Sequence, residues 1–235
     1  MGTFEEWMGS EAGKLANRSL SYPEPYWHIV RDIWLDMEYE QHRKVTEGDI
    51  VVDAGATIGD FTVKAALQAG NEGFVYAFEP EPDNYSWLKR NTENLRNVKI
   101  FDKALWNKAE KMTLWRTASY RAAHTLGSTN SSLIPRTIYT DKIEVETVRL
   151  DEAITGRVDF IKLDVEGSEL NVLEGAKRIL EQYKPFIAAE LHPYEDYPQY
   201  DLRFNEVNGF LYKYGYKTVK RKGVEAFPYG TIYFE

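Results

Sequence analysis

Residues 48–70 read "GDIVVDAGATIGDFTVKAALQAG", and this stretch decides the fold. A short apolar run stops at Asp53, the glycines Gly55 and Gly59 follow, and an alanine-rich helical pattern begins at once. A strand, a glycine turn and a helix in this order begin many nucleotide sites of α/β proteins. The stretch therefore predicts a nucleotide-like ligand at the turn.

The chain after residue 48 continues to alternate strand and helix patterns. Such alternation predicts an α/β fold with a mostly parallel central sheet and helices on both faces. A closing hairpin would make one strand near the C-terminus antiparallel. The predicted strands are 50–53, 74–79, 98–102, 158–164, 185–191, 216–220 and 230–234, and the predicted helices are 59–69, 83–95, 168–182 and 202–214.

The pattern divides the chain into two parts. Residues 1–47 form an N-terminal extension, with a helix over 1–20 and a short strand near 32–36 followed by helix. Residues 48–235 form the main domain. Within it, residues 111–149 interrupt the alternation. Two strand-like runs, 111–116 and 143–149, flank a polar loop, 117–142, that could cover the acceptor.

Composition excludes several classes of function. The 235 residues carry a net charge of −8, which argues against nucleic acid as a partner. The chain has no cysteine, so disulfides, thiolate metal sites and a cysteine nucleophile are excluded. No signal-peptide pattern and no membrane-spanning apolar run occur, so we expect a soluble, cytoplasmic protein. The sequence leaves the oligomeric state open, with a homodimer as one option.

The five predicted strands that alternate with helices each end on or next to an acidic residue: Asp53, Glu79, Asp102, Asp164 and Glu190. Ligands of open α/β sheets bind outside the carboxyl ends of the strands, so these side chains are expected to surround the site. A single acid of this kind is often only a helix cap or a loop charge. Five of them together favour a binding site.

The glycine turn distinguishes between the nucleotide ligands. The dinucleotide fingerprint G-x-G-x-x-G is not met, because Gly55 and Gly59 enclose Ala56, Thr57 and an isoleucine without a central glycine. Two carboxylates beside the turn, Asp53 and Asp60, would repel a pyrophosphate. The cationic, phosphate-free S-adenosylmethionine fits the turn better.

Two further strand ends, at Glu79 and Asp102, have residues that suit the ribose and the adenine of this cofactor. Glu79 follows Gly59 by 20 residues, where a carboxylate can accept hydrogen bonds from a ribose diol. Asp102 would lie beside the adenine, together with the backbone groups of Lys103 and Ala104. An acid at the position of Glu79 also occurs in NAD sites, so Glu79 does not separate the two cofactors.

Five stretches of the chain resemble the FkbM family of S-adenosylmethionine-dependent methyltransferases. They are "VVDAGATIGDFTVKAA", "VYAFEPEPDNYSWLKRN", "VETVRLDEAI", "VDFIKLDVEGSELNVLEGAKRIL" and "PFIAAELHP", and together they cover roughly residues 48–193. The family turn usually reads D-x-G-A-N-x-G, and Thr57 stands here in the place of the asparagine. The resemblance implies a Rossmann-like class I methyltransferase domain over 48–235 and methyl transfer to an oxygen of a sugar, polyketide or other small metabolite, leaving S-adenosylhomocysteine.

Two pairs of residues are the candidates for chemistry at the acceptor. Asp164 and Glu166 are two apart at one strand end, and Glu190 and His192 repeat this spacing at the next. Residues two apart on an extended chain point the same way, so all four can converge. We expect His192 to be the base, because its reference pKa is near neutral, with Asp164 second. Glu166 and Glu190 would bind acceptor hydroxyls or the cofactor amine.

Three alternatives stay open at this point. The protein could bind S-adenosylmethionine or a nucleoside without catalysis, or it could be an NAD-dependent oxidoreductase. A cluster of carboxylates with one histidine could also hold Mg²⁺ or Mn²⁺, although no metal site is the expectation.

Overall fold

The computed structural model describes residues 4–22, 26–117, 125–126, 139–191, 200–219 and 231–235. Its helices are α1 (Phe4–Gly9), α2 (Glu11–Ser19), α3 (Trp27–Trp34), α4 (Asp60–Ala69), α5 (Pro82–Thr92), α6 (Leu150–Ala153), α7 (Glu169–Glu174), α8 (Lys177–Gln182) and α9 (Tyr200–Tyr212). Its strands are β1 (Ile50–Ala54), β2 (Phe74–Phe78), β3 (Val98–Phe101), β4 (Ala104–Leu105), β5 (Lys111–Thr117), β6 (Thr125–Leu126), β7 (Tyr139–Val148), β8 (Phe160–Leu163), β9 (Phe186–Glu190), β10 (Thr218–Val219) and β11 (Thr231–Phe234).

The described strands form a large sheet in the order β10-β11-β9-β8-β1-β2-β3 and a small one in the order β4-β7-β5-β6. In the large sheet β1 pairs in parallel with β2 and β8, and β9 extends the parallel run. Only β11 runs against its neighbours, and it pairs with both β9 and β10. The predicted α/β architecture, with one antiparallel strand near the C-terminus, is confirmed.

The large sheet is covered on both faces by apolar cores. One core joins the sheet to α6, α7, α8 and α9, with Leu150, Leu173 and Leu211 fully buried. The other core joins it to α4 and to the N-terminal helices α1, α2 and α3, with Trp7 and Phe61 buried. The strands are apolar on both faces, as parallel strands covered by helices generally are. The N-terminal segment thus contributes to one of the two main cores.

The predicted strand near residues 32–36 is wrong. Residues Trp27–Trp34 form the helix α3, and residues 35–49 contain neither a strand nor the helix that was predicted to follow it. Its buried side chains, Val30, Ile33 and Trp34, recur at the spacing of one helical face. The aromatic and β-branched residues there suggested a strand, but packing against the sheet selects the helix.

The predicted helix 168–182 is interrupted. Helix α7 ends at Gly175, where a Cβ atom would lie 2.2 Å from the backbone oxygen of Trp106. Helix α8 then begins, with Asp151 accepting hydrogen bonds from the backbone of Arg178 and Ile179. The close backbone approach and this capping carboxylate explain why one predicted helix becomes two.

Among the described residues, the helices are all too short or too polar to traverse a lipid bilayer.

Candidate functional site

The turn after β1 brings three strand ends together. Gly55 has φ +79°, and a Cβ atom on it would lie 1.8 Å from the backbone oxygen of Asp164, at the end of β8. The backbone N–H groups of Gly55 and Ala56 donate to the carbonyl of Phe78, at the end of β2, over 3.1 and 3.0 Å. Only glycine fits this close left-handed turn. The turn therefore fixes the carboxyl ends of β1, β2 and β8 around one point.

The second half of the turn positions a backbone donor and starts α4. Thr57 has φ +50°, an uncommon conformation for a β-branched residue, and its N–H donates to Glu79 Oε2 over 2.8 Å. Gly59 has φ +89°, and a Cβ atom there would lie 2.8 Å from the side chain of Leu88. The turn is thus held against β2 and α5 rather than projecting into solvent.

Glu79 follows β2 and faces the turn. Its second oxygen, Oε1, accepts from the backbone N–H of Glu81 over 2.9 Å, and the side chain is 5% exposed. Burial raises the pKa of Glu79 to about 8, although the two backbone hydrogen bonds act in the opposite direction. In the ionised form both oxygens keep acceptor capacity, so the Glu79 carboxylate can receive further donors from a ligand.

Lys162 lies behind the turn, on β8, and is 3% exposed. Its ammonium donates to the carbonyl of Gly55 over 2.6 Å and lies 3.4 Å from Asp53 Oδ1 and 3.5 Å from Asp164 Oδ2. Burial lowers the pKa of Lys162, but the surrounding carboxylates outweigh burial and raise it above its ordinary value. Lys162 is therefore a buried cation that joins the turn to the end of its own strand.

The two acids that flank the turn in sequence are also buried behind it. Asp53 is fully buried and accepts from the Thr62 hydroxyl over 2.5 Å as well as pairing with Lys162. Asp60 is 4% exposed, and burial raises its pKa to about 7. We expected both to face the ligand, whereas Asp53 pairs with Lys162 and Asp60 accepts from the backbone N–H of Phe61 over 2.8 Å.

The acceptor-side candidates lie at the ends of β8 and β9. Asp164 and Glu166 both border the cavity at the turn, with Glu166 at φ +51°. Glu190 closes β9 and is half-buried. The hydroxyl of Tyr39 reaches both strand ends, 3.1 Å from Asp164 Oδ2 and 3.0 Å from Glu190 Oε2. His192 lies outside the described residues.

The small sheet also contributes to the lining of the cavity. Leu114 of β5 is 1% exposed and borders the cavity together with Leu105 of β4. Arg116 of β5 pairs with Glu81 over 2.8 Å and with Asp83 over 2.9 Å, which ties β5 to the start of α5. Leu105 and Leu114 thus give the cavity an apolar surface, suited to the flat face of a base. Most of the predicted covering segment 117–142 lies outside the described residues.

One cavity is lined by six of the twelve predicted site residues that the structure describes. It is lined by Gly55, Thr57, Phe78, Glu79, Pro80, Asn84, Ala104, Leu105, Leu114, Asp164, Val165 and Glu166. The predicted residues that do not line it are Asp53, Ala56, Gly59, Asp102, Lys103 and Glu190. Asp102 is exposed, and the Lys103 side chain pairs with Glu146 on β7.

Some contributors to the site were not foreseen from the sequence. Lys162 carried a signal, because a charge between Ile161 and Leu163 in a buried parallel strand requires a partner. Tyr39 and Leu114 carried none, since each reaches the site from a distant segment. Within the described ranges, no group of three or more His, Asp or Glu side chains is arranged as metal ligands would be.

Comparison with known proteins gives a consistent family assignment. Residues 53–218 match the model of the methyltransferase FkbM domain. The 31-O-demethyl-FK506 methyltransferase FkbM of Streptomyces tacrolimicus is 27% identical over 177 residues, which cover 63% of this chain and 68% of that protein. The hexuronic acid methyltransferase AglP of Haloferax volcanii is 26% identical over 172 residues, and the alignment covers 69% of this chain and 67% of that protein.

A solved structure agrees at the level of the fold. The crystal structure of a methyltransferase FkbM from Methylobacillus flagellatus superposes with a TM-score of 0.59 at 17% identity. The alignment covers 94% of this chain but only 57% of that one. The predicted class I methyltransferase fold is thereby confirmed.

Proposed function

Because the chain belongs to the methyltransferase FkbM domain family, we propose that it transfers a methyl group from S-adenosylmethionine to a hydroxyl oxygen of a small molecule. The observation that carries this proposal is the cavity lined by Gly55 and Thr57 of the glycine turn, by Glu79, and by Asp164 and Glu166. The cavity combines an apolar surface, from Leu105 and Leu114, with acidic groups that follow the strands β2 and β8.

The cofactor side of the cavity fits a nucleoside without phosphate. Glu79 can accept from ribose hydroxyls while its backbone bonds hold it in place. Leu105 and Leu114 offer an apolar surface for an adenine ring, with Ala104 beside them. S-adenosylmethionine, when bound, supplies an activated methyl group, and the carboxylates of Glu79 and Asp164 suit its hydroxyls and positive charges.

The acceptor side is proposed to lie at the ends of β8 and β9. Asp164 and Glu166 border the cavity, and carboxylates there can orient an acceptor's hydroxyl groups. Alignment of acceptor oxygen and methyl carbon lowers the barrier, and a base assists by taking the hydroxyl proton. We assign that base to His192, with Asp164 as the second candidate.

The acceptor is proposed to be a hydroxylated metabolite such as a sugar or polyketide. Two relatives act, by their names, on a demethylated FK506 and on a hexuronic acid. Neither substrate is assigned to this chain. A soluble, cytoplasmic setting and a small-molecule partner rather than nucleic acid are part of the same proposal.

A transfer assay with labelled S-adenosylmethionine tests the proposal. The panel of acceptors contains neutral sugars, uronic acids and a macrocyclic polyketide with a free hydroxyl. We expect methylation of at least one of them at oxygen, identified by mass spectrometry and NMR. Binding of S-adenosylhomocysteine without methylation of any hydroxyl compound would favour a non-catalytic binding protein instead.

A substitution of the proposed base separates catalysis from binding. We expect His192→Ala to lower turnover by about 100-fold or more, the usual scale for removing a general base. The affinity for S-adenosylhomocysteine should change by no more than about twofold, since the base serves the acceptor. An unchanged turnover would remove His192 from this role.

A further inference from the structure

Tyr39 reaches the site from outside the matched family domain. It lies between α3 and β1, before residue 53, where the match to the family model begins. Its side chain is 4% exposed, and its hydroxyl lies 3.1 Å from Asp164 Oδ2 and 3.0 Å from Glu190 Oε2. The N-terminal segment therefore places a polar group between two strand ends of the main domain.

The residues on either side of Tyr39 anchor it. The carbonyl of Glu38 accepts a hydrogen bond from the Tyr233 hydroxyl on β11. The carboxylate of Glu40 pairs with Lys64 on α4 over 2.5 Å, and both side chains are almost completely buried. Three consecutive residues thus contact the large sheet or α4, so the position of the Tyr39 hydroxyl is set by the fold.

The aromatic ring of Tyr39 is also fixed. It packs edge-on against Phe61, with ring centroids 5.6 Å apart. The ammonium of Lys162 lies 5.2 Å from the centre of the ring. These contacts depend on the ring and not on the hydroxyl, so a phenylalanine at this position would preserve them.

The Tyr39 hydroxyl carries one proton and lies between two carboxylates, those of Asp164 and Glu190. Asp164 Oδ2 and Glu190 Oε2 both lie within hydrogen-bonding distance of the Tyr39 hydroxyl oxygen. The two carboxylate oxygens are therefore close to each other, because their separation cannot exceed the sum of their distances from that hydroxyl. Two carboxylates at this range repel each other unless a donor or cation lies between them. The Tyr39 hydroxyl is a donor in that place, and Lys162 lies 3.5 Å from the same oxygen of Asp164.

We propose that Tyr39 is a positioning residue of the methyl-transfer site, holding Asp164 and Glu190 side by side so that they act together on the acceptor. This inference rests on the proposed function, since Asp164 borders the cavity and Glu190 closes β9 at the proposed acceptor side. In this proposal the N-terminal segment takes part in the reaction through the hydroxyl group of Tyr39.

The test compares Tyr39→Phe with Tyr216→Phe. Tyr216 is also 4% exposed, and its hydroxyl donates to the carbonyl of Pro185, away from the cavity. Both variants lose one buried phenol hydrogen bond, and only one of them loses contact with the carboxylates. On the panel compound that the wild type methylates fastest, we expect Tyr39→Phe to lower kcat at least about tenfold, with the KM for S-adenosylmethionine within about twofold. Tyr216→Phe should retain the wild-type kcat.

A measurement on the ligand-free protein needs no acceptor. With ¹³C-labelled carboxyl groups, the resonances of Asp164 and Glu190 are assigned from Asp164→Asn and Glu190→Gln. We expect Tyr39→Phe to shift both resonances, because each carboxylate loses the same donor. Tyr216→Phe should leave both in place.

The outcomes separate the two proposals. If the wild type binds no S-adenosylhomocysteine, the proposed function fails, while the carboxyl resonances still report on Tyr39. If the wild type methylates an acceptor and Tyr39→Phe retains its kcat, the role of Tyr39 is overturned and the proposed function stands. Unshifted resonances in Tyr39→Phe would equally overturn it.

Discussion

At the scale of single residues, the site depends on a few backbone conformations and a few carboxylates, and the sequence predicts only some of them. Thr57 is the clearest case, because it has a positive φ although threonine is β-branched. Its N–H group donates to Glu79, which explains why the backbone keeps this conformation. The strain is thus located at the turn that the ligand is proposed to approach.

Replacing Thr57 by asparagine should relieve this strain. Asparagine tolerates the left-handed region better than threonine and leaves the N–H bond to Glu79 intact. We expect Thr57→Asn to raise the free energy of unfolding by about 1 kcal/mol, measured by urea denaturation. Thr57→Val, which stays β-branched, should give no increase, and equal stability of the two variants would contradict the interpretation.

The buried carboxyl of Glu79 makes stability depend on pH. Its pKa rises from an ordinary value of 4.5 to about 8, so the folded protein binds more protons than the unfolded chain between those values. The free energy of unfolding of the ligand-free protein should therefore fall as the pH rises from 4.5 to 8. Asp60, whose pKa rises to about 7, acts in the same direction.

The variant Glu79→Gln isolates this contribution. It removes the titrating group while retaining a buried side chain of the same shape, so the fall in stability with pH should become smaller. Denaturant unfolding at several pH values measures the effect, with Glu72→Gln, an exposed position, as the control. If stability falls equally steeply with pH in the wild type, in Glu79→Gln and in Glu72→Gln, Glu79 is not responsible for the pH dependence.

At the scale of secondary-structure elements, the sequence predicts the parallel strands and their acidic ends because both follow from local patterns. It predicts Asp164 and Glu79 at one cavity, since parallel strands end at the same edge of a sheet. It does not predict which acids face the cavity. Asp53 precedes the glycine turn in sequence, yet its carboxylate pairs with Lys162 on the neighbouring strand β8. That pairing depends on the register between β1 and β8, which no local pattern contains.

The ion pair between β1 and β8 can be tested by removing its cation. Lys162→Met leaves the Asp53 carboxylate buried without its cation, and loss of one member of a buried ion pair typically costs about 3–5 kcal/mol. We expect a loss of that size in urea denaturation. Lys103→Met breaks the exposed pair with Glu146 and should change stability little. A small loss in both variants would mean that Lys162 does not hold the turn.

At the scale of the whole molecule, the N-terminal segment and the family domain share one apolar core. The strand–helix alternation begins only at residue 48, so the sequence pattern suggested an N-terminal extension over residues 1–47. The packing of Trp7, Val30 and Ile33 in the same core as Phe61 is a property of the folded chain. Sequence periodicity describes each helix separately, so it could not reveal that these helices cover the sheet, nor that Tyr39 meets Asp164.

A core substitution in α1 tests whether the segment folds with the rest. Trp7 is 2% exposed, and truncation of a buried tryptophan typically costs about 3–5 kcal/mol. We expect Trp7→Ala to lower the stability of the whole molecule by this amount, in a single transition followed by circular dichroism and by fluorescence. Leu15→Ala, at a position 51% exposed, should have little effect. Loss of helical signal in Trp7→Ala without a change in the main transition would show an independent extension.

The central claim is that the cavity beside the Gly55 turn binds S-adenosylmethionine, and calorimetric titration of the purified protein tests it most directly. S-adenosylhomocysteine, NAD and ATP are titrated separately under identical conditions. We predict a dissociation constant on the order of micromolar for S-adenosylhomocysteine, weaker in Glu79→Ala, and no detectable binding of NAD or ATP. Binding of NAD without binding of S-adenosylhomocysteine would contradict the account.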